Sequence, residues 1–137
     1  MRSLDTNVLA RFFIDDPDDA QAAKQRPAAV AALSERAHVT VTVLLEFEWV
    51  MRGFYGLSRR AITDVLRALT GIEHVAIEDR DLVLTSIDAF ERGMDFADAL
   101  HLHRSARAAS FATFDRALVK RAGHLPARAT PRIELLA

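Results

Sequence analysis

The sequence predicts an α/β domain built on a mostly parallel sheet with helices on both faces. Two observations predict it. Short β-branched or apolar runs alternate with longer stretches of helical periodicity along the whole chain. The 137 residues fit one domain, 1–137, and half of them are hydrophobic, enough for a core without disulfides. Right-handed crossovers between parallel strands then distribute the helices over both faces as a three-layer α/β/α arrangement.

The elements follow in order. Residues 2–4 read as a short buried strand running straight into Asp5-Thr6-Asn7, and a helix follows through Val8, Leu9, Phe12 and Phe13. Asp15-Asp16-Pro17-Asp18-Asp19 lacks the glycine and distal glutamate of a calcium loop, so it reads as a solvated turn that caps the next helix. That helical region, about 18–36, contains Pro27, which should kink or split it. His38 to Thr42 alternates and is β-branched, which suggests a strand. Val43 to Tyr55 is helical and strongly apolar, with Gly56 as its stop. Ser58 caps a helix through Leu69 that Gly71 ends. His74 to Ile77 is a third strand, and 79–92 is a helix carrying Leu82, Ile87 and Phe90 that ends at Gly93. Asp95 caps a helix over 96–109, Ser110 to Thr113 is a fourth strand, Asp115 opens a last helix ending at Gly123, and Arg132 to Leu136 suits a short fifth strand.

Composition narrows the function classes. The chain has no cysteine, so a thiolate nucleophile, a disulfide framework and a cysteine zinc site are excluded. Its net charge of −1 provides no global basic field, so polyanion binding requires a local patch. An acid at position 5 breaks any signal-peptide core, and no stretch approaches the roughly 20 apolar residues of a membrane span. A soluble cytoplasmic protein is expected.

Ligand sites in parallel sheets lie beyond the carboxyl ends of the strands, and four acids are expected there. Asp5 follows strand one and Asp115 follows strand four. Glu46 lies within about two turns of the start of the helix after strand two, and Asp98 opens the helix that returns to strand four. Capping accounts for Asp5, Asp95 and Asp115 taken singly. Glu46 is harder to explain as structure: its segment suits burial, and its own helix offers it no ion-pair partner. Glu48, with Arg52 four residues on, reads as a surface pair.

Clustered carboxylates repel unless they share a cation. All-oxygen donors select hard ions, Mg²⁺ or Mn²⁺, and such ions promote phosphodiester hydrolysis. His101 and His103, at i and i+2, point apart on a helix and read as packing or surface residues. No Ser-His-Asp arrangement, phosphate-binding glycine loop or dinucleotide fingerprint is present.

Four segments carry a family resemblance: Leu4-Asp5-Thr6-Asn7-Val8-Leu9, Leu45-Glu46 with Trp49-Val50-Met51-Arg52, Asp95-Phe-Ala-Asp98-Ala-Leu-His101, and Phe111-Ala-Thr-Phe-Asp115. In this order and at these spacings the chain resembles the PIN-domain nucleases, and within them the VapC-type toxins of bacterial toxin–antitoxin pairs. The resemblance implies an Mg²⁺- or Mn²⁺-dependent endoribonuclease with Asp5, Glu46, Asp98 and Asp115 as its catalytic and metal-binding acids; Asp95, from its position, is either a helix cap or an outer-shell ligand. It implies a five-stranded parallel sheet in the order 3-2-1-4-5, a homodimer, and a cognate antitoxin that blocks the site. Thr6, Asn7 and Thr113 match supporting polar positions. Arg116, Lys120 and Arg121 are placed to steer RNA phosphates, although an ordinary solvated helix face accounts for them as well. Pro27 and Ala108-Ala109 depart from the family pattern without touching the acids. Competing readings are a PIN fold that binds without cutting, a nuclease acting on DNA, and a receiver-like phosphoacceptor. The last fits poorly, since only Lys24 and Lys120 are available as its buried lysine.

Overall fold

In a computed structural model, which describes residues 1–126 and 130–137, helices and parallel strands alternate as the sequence predicts. The fold is mixed α/β, and the chain divides into two compact units, Met1–Arg80 and Asp81–Ala137.

The first unit contains β1 (Arg2–Ser3), α1 (Thr6–Phe13), α2 (Ala20–Leu33), β2 (Ala37–Val39), α3 (Val41–Gly53), α4 (Arg59–Thr70) and β3 (Val75–Ile77). Its strands form a parallel sheet in the order β1-β2-β3, with Ser3 opposite His38 and Val39 opposite Ile77. Helix α1 packs on α2 and α3, and α4 packs on α3 and β3. Leu9, Leu44, Phe47, Met51, Ile62, Leu66 and Leu69 are fully buried. Each of these removes its side chain from water, about 1.5–3 kcal/mol apiece relative to exposure.

The second unit contains α5 (Arg80–Glu91, entering from the boundary), α6 (Phe96–Arg104), β4 (Ser110–Thr113), α7 (Arg116–Ala122) and β5 (Arg132–Leu135). Strands β4 and β5 are parallel, with Ser110 opposite Arg132 and Thr113 opposite Leu135. Ala89, Met94, Ala99, Leu102, Leu118 and Ala122 make its core, with Phe111, Leu125 and Ile133 packed against them.

Local capping sets most boundaries. Asp19 accepts from the N–H groups of Gln21 (3.0 Å) and Ala22 (3.1 Å), so the acidic turn does start α2. Ser58 accepts from Ala61 N–H (3.1 Å) to start α4, and Gly71 ends it. After α3, the N–H of Leu57 donates to the Met51 carbonyl (3.0 Å) while Gly56 takes φ +65°, the left-handed turn that glycine adopts without penalty.

Four expectations are corrected. Pro27 lies inside one continuous helix, on its exposed side, so α2 is not split; a 14-residue helix keeps its other backbone bonds when one donor is missing. The strand expected over 38–42 stops at Val39. Thr40 accepts from Val43 N–H (3.3 Å) as an N-cap, and this turns the β-branched Val41 and Thr42 into the first turn of α3. The helix expected over 96–109 ends at Arg104, with Ser105 as its C-cap. The strands form a three-stranded and a two-stranded sheet where one five-stranded sheet was expected. The neighbours 3-2-1 and 4-5 are as expected, while β1 is two residues long, pairs through Arg2 and Ser3, and is exposed at both.

Candidate metal-binding site

In the first unit, Asp5 leaves the carboxyl end of β1 and caps α1: its Oδ1 accepts from the N–H of Thr6 at 2.8 Å. Thr6 is only 3 % exposed, and its hydroxyl donates to Oε1 of Glu46 in α3. One buried threonine therefore holds both acids, Asp5 through its backbone and Glu46 through its side chain. Both residues are exposed.

This corrects the expected burial on α3. Glu46 is exposed and has Thr6 as its partner, whereas Glu48 is 1 % exposed. Glu48 does pair with Arg52, at 2.8 Å from Nε and 3.4 Å from a terminal nitrogen, but from a buried position. Val41, Leu44, Phe47, Glu48 and Met51 form the inward side of the helix, so Glu48 is the structural acid and Glu46 the available one.

In the second unit, Asp95 caps α6 by accepting from the N–H of Asp98 at 3.1 Å. Asp115 caps α7 by accepting from Leu118 N–H at 3.1 Å, and its own N–H donates to the Thr113 hydroxyl at 3.0 Å. Asp98 caps nothing. Its pKa is raised, first by burial and then by the charges of Asp95 and Asp115, with His101 on the next turn acting the other way. A carboxyl group desolvated and flanked by two more is an electrostatic strain that a cation relieves.

The other polar residues singled out in the sequence divide. Thr6 bonds both Asp5 and Glu46, and the Thr113 hydroxyl accepts from the backbone N–H of Asp115. Asn7 is exposed in the first turn of α1 and lines a hollow with Val8, Arg11 and Gln25. Arg116, Lys120 and Arg121 are exposed on α7; the guanidinium of Arg121 lies over Gly93, whose φ is +111°. His101 is exposed, and His103 turns inward with Nδ1 3.1 Å from the Ser86 hydroxyl, so the two do point apart. Burial lowers the His103 pKa and keeps the ring neutral, while a hydrogen bond to the Ala99 backbone opposes the shift.

Sequence reasoning passed over Glu78. It follows β3 as Asp5 follows β1, and its Oε1 accepts from Val41 N–H (2.9 Å), fixing where α3 begins. An acid directly after the third strand was the available signal.

The donors are all oxygen, suited to a hard divalent ion. Among the described residues, no three acidic or imidazole groups within one unit form a ready-made cage. Asp5 and Glu46 lie in the first unit, and Asp95, Asp98 and Asp115 in the second.

Aspartates cap the helices after β1 and β4, and Thr6 bonds both the first of them and Glu46, in an architecture whose ligand sites generally lie at the carboxyl edge of the strands. The chain matches the PIN domain over residues 3–124 and belongs to the PIN-domain family, whose members have a nuclease-type fold and are generally metal-dependent hydrolases. No curated protein and no solved structure matches it. Among the described residues, no helix is long and apolar enough to cross a membrane.

Proposed function

We propose that the protein is an Mg²⁺- or Mn²⁺-dependent endoribonuclease and the toxin of a toxin–antitoxin pair, working as a homodimer that a cognate antitoxin inhibits. Asp5, Glu46, Asp98 and Asp115 are its metal ligands and Asp95 an outer-shell group. The observation that carries the reading is Thr6. Its hydroxyl reaches across 40 residues of sequence to Glu46 while its backbone N–H bonds the Asp5 carboxylate that caps α1, so two exposed acids are tied to one buried residue. Family membership supplies the nuclease chemistry, and the resemblance of the four acidic segments supplies the RNA and toxin assignments.

When bound, the ion supplies Lewis acidity, activating water and neutralising charge that gathers on the phosphate. The chain's own groups prepare for it. The Thr6 hydroxyl holds the Glu46 carboxylate in one orientation, and the N–H groups of Thr6 and Leu118 hold one oxygen each of Asp5 and Asp115. Asp98 keeps its proton to higher pH than an isolated aspartate, so cation uptake there competes with protonation and weakens in acid.

The test is cleavage of an RNA oligonucleotide with and without EDTA, and by Asp5→Asn and Glu46→Gln, beside a DNA oligonucleotide of matched sequence. Metal-dependent cutting of RNA that both variants lose is expected. Undiminished cutting by either variant removes that residue from the active set, and preference for DNA reassigns the substrate.

A further inference from the structure

Helix α3 presents Thr42, Glu46, Trp49 and Gly53 to solvent at spacings of four, three and four residues, one continuous stripe on the face opposite its buried side chains. Trp49 is the only tryptophan of the chain, and it is 60 % exposed. It stands one turn beyond Glu46, about 4.5 Å further along the helix axis. Large aromatic rings contribute most when buried, so one left in water beside a candidate ligand acid calls for an occupant.

The surroundings keep the ring open. At Gly53, one turn further on, a Cβ would sit 3.8 Å from Cε2 of the indole, so the glycine leaves that flank of the ring bare. Phe54, also exposed, is already engaged edge-on with Tyr55, with centroids 4.9 Å apart. Trp49 has no aromatic ring against it among the described residues.

We propose that Trp49 is a stacking platform for an unpaired base of the nucleic acid, one turn of helix from the Glu46 carboxylate that would help hold the cation facing its phosphate. The inference rests on the nuclease reading above. A nucleic acid suits the stripe better than a second protein surface does. The ring shares its face with Thr42 and with the Glu46 carboxylate that Thr6 holds, and protein interfaces deplete acids from their buried centres. A stacked base covers the indole and leaves the carboxylate free for its cation. Stacking tolerates any base, so the platform sets strandedness and position, not sequence.

The test uses the intact protein in Mg²⁺ with a hydrolysis-resistant phosphorothioate oligoribonucleotide, followed by the fluorescence of the single tryptophan. Cleavage of the unmodified RNA is followed in parallel. Saturable quenching is expected with the single strand and not with a fully paired duplex. Trp49→Ala should raise KM for single-stranded RNA about tenfold, within the range measured for base stacking on aromatic residues, with kcat little changed; Trp49→Phe should recover most of the loss. An active wild type whose KM is unmoved by Trp49→Ala, or equal quenching by duplex, overturns the platform and leaves the nuclease reading standing. A change in oligomeric state with unmoved KM overturns it in favour of a contact between copies. A wild type that cuts neither RNA nor DNA overturns both.

Discussion

Replacing Thr6 by valine removes one hydroxyl and little volume from a residue that is 3 % exposed, while the backbone bond to Asp5 stays. The lost bond is to a charged acceptor, a kind worth about 1.5–3 kcal/mol when shielded. Water can take over at the exposed Glu46, so the loss of stability should be nearer 1 kcal/mol, a fall of a few degrees in Tm. The effect on chemistry should be larger. Outer residues that orient metal ligands typically account for about 10- to 100-fold in metal affinity or activity, and Thr6 is the one observed to orient Glu46. The assay is RNA cleavage as a function of Mn²⁺ concentration, with thermal unfolding of the same samples. Thr6→Val should need more Mn²⁺ or turn over more slowly, and Thr6→Ser, which keeps the hydroxyl, should stay close to wild type. Thr6→Val with an unchanged Mn²⁺ dependence and rate would refute the idea that this bond prepares a ligand.

Two further outcomes follow from the same geometry. Glu48→Ala should lower stability by about 1.5–3 kcal/mol, since it empties a buried position and removes a charged hydrogen bond from Arg52, whose side chain is half exposed. Cleavage per folded molecule should hold; a well-folded but inactive Glu48→Ala would reassign the catalytic glutamate. Asp98→Asn should stabilise the chain at neutral pH in EDTA. The raised pKa means that the folded state disfavours the charged form, a penalty complete above the raised value and absent below the ordinary 3.8. Denaturant titrations should therefore show the advantage shrinking as pH falls through the carboxylate range, and an equal advantage in acid would contradict the assignment.

The sequence by itself determined the alternation of strands and helices, the acidic turn that caps α2, the caps at Ser58, Asp95 and Asp115, and membership of the PIN-domain family, while α3 ends at Gly53, three residues before the expected stop at Gly56. These are local: a cap joins groups two or three residues apart, and periodicity needs only one turn of chain. Trp49 and Thr6 were both visible in the family segments, but the stacking face and the bridge to Glu46 were not. Tertiary packing alone decided which glutamate of α3 is buried. Val43, Leu45, Trp49 and Val50 make the helix apolar nearly all round, so periodicity does not select a face, and the inward side is set by the packing of α1 and α4 on it. The bonds from Thr6 to Glu46 and from Val41 to Glu78 join positions 40 and 37 residues apart. Such contacts exist only once the strands have paired and brought their carboxyl ends level, because the groups that meet there have no local reason to do so.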